Sequence, residues 1–166
     1  TYFISALKQK NERRGKAMAK KRIAVLFGGA SADHAASLHT AYSVLSAMPK
    51  EVEPLAIGIT RAGRWLFYPG SYENIKDGSW EQDSDCCSCV ISPDMTNKGV
   101  IKIISDGEST IHRIDAVFPV LHGKYGEDGR VQGLCKLAGL PIIGNDFAAA
   151  ALCLSLIHIS EPTRPY

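Results

Sequence analysis

The chain of 166 residues is 45% hydrophobic and 22% charged, which suits one α/β domain with its own core and is too short for a multidomain enzyme. Its formal net charge of +2 owes much to basic residues in the first 22 positions, and the rest is mildly acidic, so nothing indicates a nucleic-acid partner. No apolar run approaches the roughly 18 residues of a membrane span, and no signal peptide is recognisable. We therefore expect a cytoplasmic protein without a membrane partner.

Both ends of the chain are interpreted as foreign to the fold. Met18 stands before a short basic stretch and an apolar run, the pattern of a natural start, so residues 1–20 are taken as a non-native or disordered leader. Residues 154–166 resemble the in-frame translation of a transposase sequencing adapter and are excluded from fold reasoning. The domain is therefore expected within residues 21–153.

The domain opens with a strand and a long helix. The unbroken apolar run 23–27, ended by two glycines, predicts a central parallel strand covered on both faces. A helix is then predicted from Ser31 to Pro49. Its inner stripe follows spacings of three and four and consists of Ala35, Leu38, Ala41, Tyr42, Leu45 and Met48.

The middle of the chain favours antiparallel strands. Residues 52–60 predict a second strand, and residues 65–68 predict an aromatic-rich strand of a hairpin. Residues 70–98 are expected to form loops around short elements. A second hairpin is predicted from residues 100–104 and 110–113, around an Asp-Gly turn.

The last third returns to alternating strands and helices. Residues 116–121 predict a core strand, residues 128–138 a helix, and residues 141–144 a short final strand. The expected fold class is therefore α/β, a doubly wound parallel sheet of the Rossmann-like kind with an antiparallel hairpin insertion.

Five cysteines form an odd set, with Cys86, Cys87 and Cys89 crowded together and Cys135 and Cys153 apart. The C-C-x-C run lacks paired C-x-x-C knuckles and a nearby histidine, so no metal site is predicted. We expect free thiols in a surface hairpin, consistent with a reducing compartment.

The loop after the first strand is the first candidate ligand contact. Gly28, Gly29, Ser31 and Asp33 lie where a strand meets a helix N-terminus, whose free N–H groups favour an anion or a carboxylate. The loop is not the G-x-G-x-x-G fingerprint of dinucleotide binding, which argues against a redox cofactor. Two alternative interpretations remain. The loop can be a tight turn that contacts no ligand, and Asp33 can serve only to interact favourably with the helix dipole.

The run 122–133 carries the most information. His122 ends the strand 116–121, at the edge where open α/β sheets bind ligands, and it is positioned to face one pocket with Asp33. The alternative is a histidine that only caps the strand. Glu127 and Asp128 are expected to cap the next helix and stiffen the loop rather than act as acid or base. The signature positions are Gly123, Gly126, Glu127, Asp128, Gly129, Gln132 and Gly133.

This run resembles the first signature of the D-alanine-D-alanine ligase family, H-G-x-x-G-E-[DN]-G. The resemblance covers residues 21–153 and implies the N-terminal, pre-ATP-grasp domain, with the ATP-grasp domains outside this chain. In the family, a Glu at the position of Asp33 helps hold the amino group of the first D-alanine, and the histidine at the position of His122 orients it. Here that Glu is an Asp, and the usual E-x-x-V-S continuation becomes Asp33-His34-Ala35-Ala36-Ser37. The implied substrate-binding residues are Asp33, His122, Gly28, Gly29, Ser31 and Gly123.

The resemblance implies a ligase that uses ATP and Mg²⁺ (or Mn²⁺) to join D-alanine to D-alanine for peptidoglycan. The family commonly forms homodimers. The fragment alone contains no complete catalytic set, so we expect it to bind neither cofactor and to be inactive. A D-alanine-D-serine or D-alanine-D-lactate ligase would share this domain, and the segment 57–65 looks like the longer-chained ligases that include vancomycin-resistance enzymes. A non-catalytic flavodoxin-like binding module is the alternative of another class.

Overall fold

The computed structural model describes residues 20–97, 100–105 and 108–154, with the backbone alone for 100–105. The interpreted leader up to residue 19, the interpreted tail from residue 155 and the predicted Asp-Gly turn lie outside the described residues. Within the described part of the chain, no helix is both long and apolar enough to cross a bilayer.

Within the described residues, seven strands form one mixed sheet in the spatial order β6-β5-β4-β3-β2-β1-β7. Their bounds are β1 Lys21–Gly28, β2 Val52–Ile59, β3 Trp65–Phe67, β4 Cys87–Ile91, β5 Val100–Ser105, β6 Glu108–Arg113 and β7 Ala116–Pro119. Strand β1 lies between β2 and the edge strand β7 and pairs in parallel with both. All the neighbours from β2 to β6 pair antiparallel. The predicted α/β class with an antiparallel insertion is confirmed, although the insertion is wider than one hairpin.

Helices cover both faces of the sheet. Their bounds are α1 His34–Ser46, α2 Tyr72–Asp77, a 3-10 helix Ser79–Gln82, α3 Arg130–Leu137 and α4 Phe147–Cys153. Alternate residues of β1 face opposite cores, because successive side chains of a strand point to opposite faces. Val25 and Phe27 pack with α1, α2 and the 3-10 helix. Ala24 and Leu26 pack on the side of α3.

The predicted inner stripe of α1 is partly wrong. Ala35 is exposed, whereas His34 and Ser37 are buried together with Leu38, Ala41 and Leu45. The helix begins at His34, and residues three, four, seven and eleven positions later share a face with it. Ala35 lies outside that face.

The segment 70–98 is more regular than predicted. It contains α2, the 3-10 helix and β4, and β4 carries two of the crowded cysteines. The expectation of free thiols in a surface hairpin is wrong about the location, because Cys89 is buried in the core and β4 is an internal strand. Its thiols are free. The predicted final strand at 141–144 is a single parallel bridge between Val117 and Ile142.

Candidate functional site

The candidate site lies where β1 and β7 end side by side. These strands pair in parallel, with Leu26 opposite Pro119, so the loops that follow them leave the sheet at the same edge. The carboxyl ends of parallel strands are where open α/β sheets bind ligands. Gly28 ends β1 and Gly29 begins the first loop, and the second loop carries His122.

Ser37, buried in α1, ties these two loops together. Its hydroxyl accepts a hydrogen bond from the Gly28 N–H (2.8 Å) and donates one to the Val120 carbonyl oxygen (2.6 Å). The end of β1, the segment after β7 and the helix therefore share one hydroxyl group. Both backbone groups would lose their partner if this hydroxyl were removed.

The glycine loop is also fixed to its other neighbours. The Gly29 N–H donates to the Ile59 carbonyl oxygen (2.7 Å), and His34 Nδ1 lies 2.6 Å from the Gly29 carbonyl oxygen. Since a carbonyl oxygen only accepts, Nδ1 of this buried histidine carries a hydrogen. Glu81 Oε1 lies 3.6 Å from the other ring nitrogen. A side chain at residue 28 would overlap the Ile59 carbonyl oxygen, so Gly28 (φ 86°) permits the close approach to β2.

Asp33 lies beside the second loop. It precedes α1, but its carboxylate makes no capping hydrogen bond to the helix. The carboxylate instead lies beside Gly123, whose φ is 68°: a Cβ placed on that residue would lie 2.5 Å from Asp33 Oδ2. The Ser31 hydroxyl accepts from the Asp33 N–H (3.2 Å) and donates to the His122 carbonyl oxygen (2.7 Å). Four of the predicted substrate residues thus meet here.

The half-buried ring of His122 has a partner near each nitrogen. Thr40 Oγ1 lies 3.1 Å from Nε2, and Glu127 Oε1 lies 3.7 Å from Nδ1. The first distance is that of a hydrogen bond, whereas the second is too long for one.

The signature loop is held by its own carboxylates. Glu127 Oε2 accepts from the Gly123 N–H (2.8 Å), while Asp128 accepts from the N–H groups of Tyr125 (3.0 Å) and Arg130 (3.2 Å). These bonds stabilise Tyr125 in a left-handed conformation (φ 74°) that is uncommon outside glycine. These bonds support the expectation that Glu127 and Asp128 stiffen this loop. The expectation that they cap the next helix is wrong, because the N-cap of α3 is Gly129 and it makes no side-chain capping hydrogen bond.

The remaining signature residues pack the loop onto α3. The buried Gln132 side chain donates from Nε2 to the Gly126 carbonyl oxygen (3.2 Å). Gly129 (φ 90°) precedes α3, and a Cβ on Gly133 would contact the ring of Phe147. These contacts give the signature glycines a structural role beside the site.

Two cavities adjoin His122. One of about 490 Å³ lies between α1, the end of β7 and α4, and it is bordered by Thr40, His122 and Glu127. Another of about 240 Å³ is bordered by Gly28, Gly29 and His122. Asp33 borders neither cavity. Asp33 and His122 therefore meet around Gly123 rather than on the wall of one enclosed pocket.

Sequence reasoning missed three side chains that fix the site. His34 and Ser37 are polar residues on the buried face of α1, where an apolar stripe was expected, and that irregularity was the available signal. Thr40 gave no signal, because only the fold places it against His122.

The residues present do not fit a complete site for magnesium and ATP. In the part of the chain that the structure describes, His, Cys, Asp and Glu form no group of three or more that could hold a metal ion. The sequence also carries no G-x-x-x-x-G-K-[ST] phosphate loop. No nucleotide-dependent step is therefore assigned to residues of this chain.

A mixed α/β sheet with two loops that leave the carboxyl edge of its parallel strands side by side defines the class, an open-sheet α/β domain. Such sheets bind their ligands at this edge. Residues 22–145 match the family model described as the D-ala D-ala ligase N-terminus. The chain belongs to this family.

Named relatives agree with this assignment. A D-alanine-D-alanine ligase of Caldicellulosiruptor bescii is 46% identical over 138 residues, which cover 82% of this chain and 37% of the relative. The vancomycin C-type resistance protein VanC1 of Enterococcus gallinarum is 42% identical, over 83% of this chain and 39% of the relative. Among solved structures, the VanG D-Ala:D-Ser ligase of Enterococcus faecalis superposes with a TM-score of 0.75 at 42% identity, over 81% of this chain and 38% of that one. The chain thus spans well under half the length of the relatives it matches.

Proposed function

We propose that residues 21–153 form the N-terminal, pre-ATP-grasp domain of an ATP-dependent D-alanine-D-alanine ligase, and that this domain contributes to the site of the first D-alanine. The observation that carries the proposal is the position of the Asp33 carboxylate beside Gly123, the residue next to His122. The proposed substrate-binding set is Asp33, His122, Gly28, Gly29, Ser31 and Gly123. The signature residues Gly126, Glu127, Asp128, Gly129, Gln132 and Gly133 support it.

The chain's own residues bind and orient the substrate. A carboxylate without a capping hydrogen bond is suited to a charge-assisted hydrogen bond with an ammonium group, so Asp33 holds the amino group of the first D-alanine. His122, fixed through its backbone and its ring, orients the bound molecule. In the whole ligase, ATP with Mg²⁺ or Mn²⁺ supplies the phosphoryl group that activates the carboxylate of the first D-alanine for attack by the amine of the second.

The proposal extends to the whole protein. A complete ligase of this family makes the dipeptide for peptidoglycan in the cytoplasm and acts as a homodimer. We infer that ATP-grasp domains outside this chain supply its ATP and metal ligands; among the described residues, His, Cys, Asp and Glu form no group of three or more that could hold a metal ion. The family match argues against the alternative of an unrelated flavodoxin-like binding module.

The direct experiment joins residues 21–153 to the ATP-grasp domains of the Caldicellulosiruptor bescii relative. We expect Asp33→Ala and His122→Ala to raise the KM for the first D-alanine while the KM for ATP changes little, since neither residue belongs to the nucleotide site. Ser43→Ala is the matched control, because this exposed hydroxyl bonds the His39 carbonyl oxygen of its own helix. Unaltered D-alanine kinetics in both site variants would refute the assignment.

A second candidate is a D-alanine-D-serine ligase. The similarity to the VanG D-Ala:D-Ser ligase at 42% identity favours it, and a D-alanine-D-lactate ligase would share the same domain. The residues that select the second substrate lie mostly outside this domain. Sequencing the source DNA beyond the codon for Cys153, followed by assays of the complete enzyme with D-alanine, D-serine and D-lactate, distinguishes these activities.

The chain alone is proposed to fold without catalysing the reaction. Calorimetric titration with Mg-ATP should show no micromolar binding, and no dipeptide should form. Deletion of residues 154–166 should leave the free energy of unfolding unchanged. Micromolar ATP binding would contradict the proposed position of the nucleotide site.

A further inference from the structure

The hydroxyl of Thr40 contacts the ring of His122 across the boundary between α1 and the signature loop. Thr40 and His122 both border the larger of the two cavities described above. Its Oγ1 is 2.9 Å from the Ala36 carbonyl oxygen and 3.1 Å from His122 Nε2. Both distances are those of hydrogen bonds.

The two contacts together fix the direction of the second one. A carbonyl oxygen cannot donate, so the contact with Ala36 requires the single hydroxyl hydrogen of Thr40. Oγ1 can then only accept from His122. The hydrogen in that contact must therefore belong to Nε2, which makes the neutral ring of His122 the Nε2–H tautomer.

The other nitrogen of His122 is consequently an acceptor in the neutral ring. Glu127 Oε1 lies 3.7 Å from Nδ1, beyond a hydrogen bond, and the other oxygen of Glu127 is engaged by the Gly123 N–H at 2.8 Å. The Ser31 hydroxyl holds the His122 carbonyl oxygen at 2.7 Å. Backbone and ring are thus fixed separately, and Nδ1 stays available to a donor.

We propose that Thr40 is a positioning residue: it holds His122 as the Nε2–H tautomer, so that Nδ1 accepts an N–H from the amino group of an amino-acid substrate. The substrate part rests on the proposed function, whereas the tautomer rests on the contacts of the domain alone. A hydroxyl that fixes a histidine ring in this way determines which ring nitrogen faces the ligand.

The tautomer is measured by NMR on the whole 166-residue chain with ¹⁵N-labelled histidine, using long-range correlations between ring nitrogens and ring carbon-bound protons. We expect His122 to show a protonated Nε2 and a bare Nδ1 at a pH where the ring is neutral. His34 is the reference within the same spectrum, because its Nδ1 donates to a carbonyl oxygen. A protonated Nδ1 with a bare Nε2 on neutral His122 would overturn the proposal.

Variants separate positioning from packing. Thr40→Val keeps the shape of the side chain and should abolish the slowly exchanging Nε2–H proton signal of His122, while Thr40→Ser should restore it. Ser43→Ala, which removes a hydroxyl bonded to its own helix one turn away, should leave the signal unchanged. If Thr40→Val unfolds the chain, the proposal is still tested by the tautomer of His122 in the wild-type chain and by the Nε2–H signal in Thr40→Ser.

In the ligase with restored ATP-grasp domains, Thr40→Val should raise the KM for the first D-alanine about 3- to 10-fold, the scale of one lost hydrogen bond. The KM for ATP should stay constant, and Thr40→Ser should recover most of the loss. An unchanged D-alanine KM in Thr40→Val overturns the positioning role even if the tautomer is as proposed. Absence of ligase activity in the unmutated fusion would instead count against the proposed function. The NMR test of the His122 tautomer does not depend on that activity.

Discussion

The Asp33 carboxylate occupies the space that a side chain at residue 123 would need. The two residues belong to different loops, and Asp33 Oδ2 lies only 2.5 Å from the position that a Cβ of residue 123 would take. A glycine of the signature run is therefore required by a carboxylate that lies far away in sequence.

Replacing Gly123 by alanine should displace this carboxylate and strain the backbone. The strain alone is about 1 to 2 kcal/mol for an L-residue in the left-handed region. Gly63→Ala is the control, because Gly63 has a φ of 82° with open space around its Cα, so it carries the strain without the collision. Urea unfolding should show a loss of stability in both variants, but only Gly123→Ala should raise the KM for the first D-alanine in the fused ligase. An equal effect of both variants on that KM would show that the position of the Asp33 carboxylate beside residue 123 does not affect binding of the first D-alanine.

Removing the Ser37 hydroxyl should lower the free energy of unfolding far more than removing a surface hydroxyl does. Ser37→Ala leaves the Gly28 N–H and the Val120 carbonyl oxygen buried without their partner, so we expect a loss of about 2 to 4 kcal/mol in the free energy of unfolding. Ser43→Ala should lose under about 0.5 kcal/mol. Similar losses in the two variants, measured by chemical denaturation, would exclude the bridging role.

Acid stability should depend on Asp115. The backbone N–H of Arg22 (2.9 Å), and after it the ammonium of Lys21 (3.0 Å), hold the pKa of the Asp115 carboxyl below its usual value. A lowered pKa in the folded state gives stabilisation that is complete above the unfolded value of about 3.9 and is lost as the pH falls through the folded value.

Asp115→Asn should therefore make the free energy of unfolding fall less steeply as the pH is lowered into the acidic range. Near neutral pH, the dependence of the free energy of unfolding on pH should hardly change. Lys21→Met should retain most of the slope, because the hydrogen bond from the Arg22 backbone is the larger cause. An unchanged fall at acidic pH in Asp115→Asn would refute this account.

The five thiols should differ widely in reactivity. Burial raises the pKa of the Cys89 thiol to about 12 and that of Cys135 to about 11, and a thiol reacts as its thiolate. Cys153 is exposed. Alkylation with iodoacetamide at pH 7.5, followed by peptide mass spectrometry, should label Cys153 first and Cys89 and Cys135 only after unfolding. Early labelling of Cys89 would show that β4 opens readily.

The sequence predicted the strongly patterned parts of the fold. The apolar run of β1 and the Gly28-Gly29 stop were sufficient for the first strand, and the signature run placed His122 at the correct edge. The sequence did not predict β4, because the polar, cysteine-rich stretch around Cys86 shows no clear alternation of apolar and polar residues. This stretch forms a strand by pairing with β3 and β5. Tertiary pairing outweighs a weak local pattern in such a strand.

At the site, the loop residues were predictable and their partners were not. Gly28, Asp33 and His122 follow from strand ends and helix starts, which are local features. The contact of Thr40 with His122 and the bridge through Ser37 depend on how α1 lies across the sheet. Neither residue type nor spacing determines that position.

The pairing of β1 with β7 delays the assembly of the site during translation. Ser31 and His122 are 91 positions apart, so at about 5 to 20 residues per second the ribosome takes roughly 5 to 20 s to bring the second loop after the first. During that interval one edge of β1 lacks the neighbour it has in the finished sheet, and its apolar residues 23–27 are exposed to other nascent chains. Strand β1, whose side chains are buried in both cores of the native domain, is thus a segment that a chaperone would protect during synthesis.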